Sequence, residues 1–259
     1  NGKITLDLAG VTQIADSGYN SSTPFRYMQN TEFTPDSFQN LTTIGTHAFR
    51  DISPLPFGLS FPSVTSIGGS AFAGCTLNES LSFPEALTAG NAAFASIKTA
   101  STTPVTISLP KLATVNEYLF QTCNNNNTGN GKITLDLAGV TKIVSSGYDS
   151  SAPFRYMKNT EFTSDSFQNL ERIGNHGFRD VSFISDVCFP ALTSIGSSTF
   201  DGATMTGGVY KFPFDMRDSP TVSGLPSDKV QYFNVVTLTV KGGQNTDPSS
   251  PYFTITDAS

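Results

Sequence analysis

Residue types that commonly carry out chemistry are sparse in this chain of 259 residues. There are two histidines, His47 and His176, and three cysteines, Cys75, Cys123 and Cys188. The histidines occupy the same place in the segments IGTHAF and IGNHGF, and no spacing implies a nucleophile or a carboxylate partner for either. The cysteines form none of the close pairs that metal sites use. We therefore expect solvent-facing turn histidines, cysteines that pack as small apolar residues, no metal and no cofactor.

Carboxylates at regular positions are the next candidates for chemistry. Asp7 and Asp136 are predicted to lie on the outward side of strands. Paired carboxylates on neighbouring strands can cleave a polysaccharide, but the other outward positions carry hydroxyl groups rather than a second acid. No nucleophile-elbow, zinc-hydrolase or phosphate-loop motif occurs either. A carbohydrate-active enzyme is therefore the third hypothesis, and no catalytic residue is assigned.

Two similar segments have the composition of recognition loops. Residues 17–27 read SGYNSSTPFRY and residues 146–156 read SGYDSSAPFRY. Tyrosine and arginine among small polar residues are typical of binding loops, and we assign Phe25 and Phe154 within them to the core. The alternative is that these loops only pack against the fold. The exposed candidates for ligand contact are Tyr19, Arg26, Tyr27, Tyr148, Arg155 and Tyr156.

A second candidate surface is a predicted row of hydroxyl side chains on the outward side of the strands. Such a row would form a shallow, hydroxyl-rich face that a protein or a glycan could contact. The alternative is an ordinary solvated sheet. The residues assigned to this row are Thr5, Ser60, Ser82, Thr106 and Thr134.

Composition excludes several classes of partner. Charged residues make up 14% of the chain, against roughly 25% in an ordinary globular protein. The net charge is −6, and no cluster of Lys and Arg suggests a nucleic-acid partner. No apolar run approaches the ~18–20 residues of a membrane span, so no direct membrane span is expected. Because the chain opens with Asn1 inside a structured pattern, we expect an excised or processed piece whose targeting signal lies outside it.

The elements that position these residues are repeats. Residues 1–53 and 130–182 align without gaps and are identical at 41 of 53 positions. A shorter unit, clearest as FPSVTSIGGSAFAGC and FPALTSIGSSTFDGA, recurs eight times at spacings of 22 to 30 residues. Units of this length stack as coils of a solenoid, because no unit can bury its apolar face alone.

Each unit predicts the same local structure. A short strand with alternating apolar residues comes first, as at Ile4, Leu6 and Leu8, and the L-x-x-I-G segment supplies a second apolar edge and a turn. The segment S-x-F-x-G-C predicts one helical or 3₁₀ turn whose phenylalanine points inward. The predicted stack of rings contains Phe49, Phe72, Phe94, Phe120, Phe178 and Phe200.

These units resemble the leucine-rich repeats of the BspA type, a family found in bacterial surface proteins. The resemblance implies an α/β, β-dominated fold: a right-handed leucine-rich-repeat solenoid with short parallel strands and single helical or 3₁₀ turns. We expect about eight coils in residues 1–208. Residues 209–259 are expected to hold a last strand followed by a C-terminal β cap or by the start of another domain.

The resemblance also implies export and a role in adhesion or host-protein binding. The favoured hypothesis is a non-enzymatic module at the cell surface or in the extracellular space that binds an extracellular protein or glycan. A passive structural spacer within a larger surface protein is the alternative. The sequence leaves the identity of the ligand and the oligomeric state open.

Overall fold

A computed structural model describes residues 4–18, 24–25, 31–56, 59–99, 102, 104–125, 131–213, 225, 227–232, 236–240 and 253–257. Nearly every element in them is a short strand that pairs in parallel with a strand 22 to 30 residues away. Successive coils therefore build parallel sheets of two to four strands that run along the stack. The β-dominated leucine-rich-repeat fold of short parallel strands is confirmed.

Three sets of strands run along the stack. The first set contains β1 (Ile4–Leu6), β3 (Thr31–Phe33), β7 (Leu81–Ser82), β10 (Val105–Ser108), β12 (Ile133–Asp136), β14 (Thr160–Phe162), β17 (Val187–Cys188), β20 (Tyr210–Phe212) and β21 (Val230–Tyr232). The second set contains β2 (Gln13–Ile14), β4 (Thr43–Ile44), β5 (Ser66–Ile67), β8 (Thr88–Ala89), β11 (Thr114–Val115), β13 (Lys142–Ile143), β15 (Arg172–Ile173) and β18 (Ser194–Ile195). The third set contains β6 (Thr76–Leu77), β9 (Lys98–Thr99), β16 (Ser182–Phe183) and β19 (Thr204–Met205).

The strands form because their side chains alternate between water and the core. In the second set, the second residue of each strand points inward and meets the equivalent residue of the next coil. Ile14 pairs with Ile44, and Ile44 with Ile67, while the residue before each of them faces outward. A one-residue slip would expose the whole apolar column, so the register is strongly determined.

Stacked phenylalanine rings fill the centre of the solenoid. Neighbouring ring centroids lie 5.0 to 5.7 Å apart, and their planes are within 15° of parallel. The predicted stack is confirmed, including its extension to Phe25 and Phe154. A second column of rings contacts the first edge-on, as Phe61 does with Phe72. The ladder phenylalanines are Phe25, Phe49, Phe72, Phe94, Phe120, Phe154, Phe178 and Phe200.

The segments around the ladder phenylalanines are not helical, which corrects the predicted helical or 3₁₀ turns. On either side of Phe72, Ser70 and Gly74 have left-handed backbones, with φ of 53° and 74°. Ala73 N–H donates back to Ser70 O at 3.2 Å, whereas Phe72 N–H donates to Ala93 O in the next coil at 2.8 Å. Because alternate amides point at the next coil, no helical ladder can form. Among the described residues, 3₁₀ helices occur only at Asp149–Ser151 and Ser227–Lys229.

The C-terminal part continues the first set of strands. β20 pairs in parallel with β17, and β21 pairs in parallel with β20. Beyond them, β22 (Val236–Val240) and β23 (Phe253–Asp257) form an antiparallel pair. The assignment of residues 209–259 as a cap or as a following domain stays a prediction.

The three cysteines are free thiols. Cys75 and Cys123 are buried, and the Cys75 thiol lies 2.8 Å from Phe49 O. Cys188 differs from the expected core cysteine, because it follows the buried Val187 on β17 and is therefore partly exposed on the outer side. Strand alternation, rather than apolar character, decides its environment.

Candidate ligand-binding surfaces

Residues 146–156, called here the inserted loop, lengthen one coil between β13 and its ladder residue Phe154. The carboxylate of Glu117 in the preceding coil accepts hydrogen bonds from Gly147 N–H at 3.1 Å and from the Ser151 hydroxyl at 3.2 Å. Phe120 N–H donates to Pro153 O at 2.8 Å. These bonds hold the loop in one arrangement, so its outward side chains are preorganised.

Two tyrosines of the inserted loop face the solvent. Tyr148 is 78% exposed and Tyr156 is 44% exposed. Only Ile4 and Leu87 are comparably exposed among the large hydrophobic side chains of the described ranges. Tyr156 has a left-handed backbone, with φ of 60°, and its N–H donates to Asp180 O in the next coil. The exposure expected for these two tyrosines is therefore present.

The side chain of Arg155 is only 17% exposed, which corrects its assignment as an exposed contact residue. Its Nε donates to Asp180 Oδ2 at 2.7 Å. Its guanidinium carbon lies 4.5 Å from the centroid of the Tyr156 ring. A charge-assisted hydrogen bond and a cation–π contact thus fix this arginine. Arg155 positions the Tyr156 ring from beneath.

The related loop near the N-terminus is only partly described. Tyr19, Arg26 and Tyr27 lie outside the described residues. Phe25 is described and stacks on Phe49 with centroids 5.0 Å apart.

The two histidines contact the start of these loops, a role that the sequence reasoning missed. His47 Nδ1 lies 3.1 Å from Ser17 O, and His176 Nδ1 lies 3.3 Å from Ser146 Oγ. Both sit in turns with left-handed backbones, as the turn assignment predicted, but they are half-buried rather than solvent-facing. The two histidines are 129 residues apart in the sequence, and so are the two loops. This shared offset was the signal that could have linked the histidines to the loops.

The five predicted hydroxyl residues do not form one row. Thr106 of β10 lies opposite Thr134 of β12, whereas Ser82 of β7 lies opposite Ser108, two residues further along β10. Ser60 lies outside any strand. The strand register fixes which residues lie opposite each other. It therefore divides these residues between two rows.

Carboxylates of the next coil accept hydrogen bonds from two of these hydroxyl groups. The Thr5 hydroxyl donates to Glu32 at 3.2 Å, and the equivalent Thr134 hydroxyl donates to Glu161 at 3.2 Å. Lys132 forms an ion pair of 2.8 Å with the same Glu161. Thr5 and Thr134 of the predicted row therefore already have carboxylate partners.

Two of the three cysteines are buried, and both candidate carboxylates, Asp7 and Asp136, accept hydrogen bonds. Burial raises the pKa of the Cys75 thiol to about 12, and it raises the pKa of Cys123 as well. Asp136 accepts a hydrogen bond from the Ser108 hydroxyl at 2.7 Å, and Asp7 accepts one from Ala9 N–H at 3.0 Å. Among the residues that the structure describes, there is no group of three His, Cys, Asp or Glu that could hold a metal ion. In the described part of the chain, no helix has the length and apolar character to cross a membrane.

Stacked coils of short parallel strands, each bonded to the next, define a repeat protein of the solenoid class. The family model for the BspA type leucine-rich repeat region matches residues 21–136 and 150–207 in six copies, which is more than half of the chain. The chain belongs to the BspA-type leucine-rich-repeat family. No curated protein and no solved structure matches it.

Proposed function

We propose that this chain is a non-enzymatic recognition module, displayed at the cell surface or in the extracellular space, that binds an extracellular protein or glycan. The observation that carries the proposal is the pair of exposed tyrosines, Tyr148 and Tyr156, on a loop anchored to both neighbouring coils. Tyrosine offers a large contact area at a low cost in conformational entropy. Membership of a leucine-rich-repeat family supports a repeat module that takes part in interactions.

The duplication adds a second proposed patch. Tyr19, Arg26 and Tyr27 occupy the positions equivalent to Tyr148, Arg155 and Tyr156. A ligand with its own repeats, such as a polysaccharide or a fibrous protein, could contact both patches at once. Two linked sites of this kind can raise the apparent affinity by roughly 10²–10⁴ over a single site.

A passive spacer is the second candidate function. Hydrogen bonds between coils continue from the strands into the turns, as from Phe49 N–H to Ala71 O at 2.8 Å. A stack bonded in this way is stiff and would hold neighbouring domains apart without binding any ligand.

An array of glycans and extracellular-matrix proteins separates these functions. We expect at least one specific ligand, and binding should weaken at least tenfold in the variant Tyr148→Ala/Tyr156→Ala. The control is Leu87→Ala, which removes an exposed hydrophobic side chain just before β8 and should leave binding unchanged. Absence of any ligand would favour the spacer, and a shortened glycan product would favour the enzyme.

A further inference from the structure

Two cations lie side by side on the second set of strands. Lys142 of β13 is directly opposite Arg172 of β15, and both side chains are exposed. Neither forms an ion pair with any described residue, although most other cations of the stack do. Like charges directly opposite each other in a sheet destabilise it. Residues that lower stability in this way are often kept for function.

The two cations border a shallow groove of about 250 Å³. Gly174 and Gly196 form part of its lining, and Ser145 and Ser194 add hydroxyl groups. A side chain at Gly174 would collide with the backbone of Ser145, so glycine is required where the two coils meet beside the groove. On the other side of Lys142, Thr114 lies opposite it on β11.

The duplication provides an internal comparison for this groove. At the equivalent positions of the first copy, Gln13 lies opposite Thr43, so neither cation is present. Asp16 of the first copy is replaced by Ser145 in the second. Hydrogen bonds from Thr46 lower the pKa of Asp16, which therefore stays ionised at neutral pH.

Three of the twelve differences between the copies thus make the groove of the second copy more positive. They are Gln13 to Lys142, Asp16 to Ser145 and Thr43 to Arg172. The opposing change is Thr42 to Glu171, which is exposed beside Arg172 but forms no ion pair with it or with Lys142. The fold does not require the cations, because the first copy builds the same paired strands without them.

We infer that the groove of the second copy binds an acidic saccharide, with a carboxylate or sulfate group held between Lys142 and Arg172. Arginine offers paired N–H donors to such a group, and lysine adds a point charge. The hydroxyl groups of Ser145, Ser194 and Thr114 match the hydroxyl groups of a sugar ring. A nucleic acid is disfavoured, because two cations on a chain of net charge −6 form no extended basic surface. The residues that line this groove lie outside the inserted loop, and the inference does not depend on the proposed function.

Isothermal titration calorimetry with three defined probes tests this inference. A heparin-derived hexasaccharide and an oligogalacturonate hexamer supply sulfate and carboxylate groups, and maltohexaose is the neutral control. We expect one or both acidic probes to bind and maltohexaose not to bind. In Lys142→Gln/Arg172→Thr, which restores the residues of the first copy, binding should weaken roughly tenfold or more.

Matched variants separate a site from a general effect of charge. Lys98→Gln/Lys158→Gln removes two other exposed cations outside the groove and should leave binding unchanged. Gln13→Lys/Asp16→Ser/Thr43→Arg should create a second site and raise the stoichiometry from one to two. Thermal unfolding should show that each variant remains folded, since each installed groove residue is already present in the other copy.

Several outcomes would overturn the inference. Equal loss of binding in both double variants would mean that only net charge matters. Binding of polyglutamate or duplex DNA as tight as that of the acidic saccharides would mean that the groove does not select a sugar. The variant Tyr148→Ala/Tyr156→Ala should still bind the acidic probe. Loss of binding in that variant would place the probe on the inserted loop.

Discussion

Phe72 lies in the middle of the ring stack, and its truncation to alanine should damage the protein severely. Its side chain is fully buried, and its ring stacks on Phe49 and Phe94 with centroids 5.0 and 5.5 Å away. Truncation of a buried phenylalanine costs about 3–5 kcal/mol. Stacked ring pairs contribute about 0.5–1.5 kcal/mol each beyond their area, so we expect a loss in the upper part of that range.

Urea unfolding followed by far-UV circular dichroism measures this loss, because the chain contains no tryptophan to serve as a fluorescent probe. Phe72→Leu is the matched control, since it keeps most of the apolar volume and should cost about 1–2 kcal/mol. Hydrogen exchange adds a spatial readout. Because each coil contacts only its neighbours, protection should fall first at the amides of Phe49 and Phe72, which donate to Ala71 O and Ala93 O.

An unchanged unfolding midpoint in Phe72→Ala would refute the assignment of the ring stack as the core. Uniform loss of protection over all coils would contradict the nearest-neighbour picture even if the total loss agreed. A larger effect for Phe72→Leu than for Phe72→Ala would show that shape, rather than buried area, limits stability at this position.

Two further predictions concern titratable groups. Under native conditions, a thiol reagent should modify Cys188 first, because Cys75 and Cys123 are buried and burial raises the pKa of both thiols. Mass spectrometry of the labelled protein measures the order of reaction. Modification of Cys75 as fast as that of Cys188 would contradict the prediction. A hydrogen bond from Lys211, 3.0 Å away, lowers the pKa of Asp186 below its ordinary value of 3.8. The stabilisation by Asp186 is therefore fully present above pH 3.8 and is lost as the pH falls through the lower value of the folded protein. Asp186→Asn should be less stable than the wild type by at most about 1 kcal/mol at pH 6. The difference should shrink below pH 3 in thermal unfolding, and a difference that grows with acidity would contradict the assignment.

Much of the fold could be predicted from the sequence, because repeat spacing carries information about contacts. A phenylalanine that recurs once in each unit must meet its own copy in the next coil, so Phe72 could be placed against Phe94 without coordinates. The same argument placed Phe154 in the core despite its position inside an inserted loop. Periodicity alone did not predict the conformation of the turns. Whether an amide bonds within its coil or to the next coil depends on φ, which residue types such as Ser70 do not reveal.

The candidate sites show where sequence reasoning ends. Exposure of Tyr148 followed from loop composition, but the burial of Arg155 depends on Asp180, which is 25 residues away in the next coil. The pairing of Lys142 with Arg172 likewise exists only because β13 and β15 match in register. The sequence by itself determined the repeat, the ring stack and the identity of the family. Only the tertiary structure decided which charges become neighbours, because adjacency between coils is set by the register of strands that are distant in the chain.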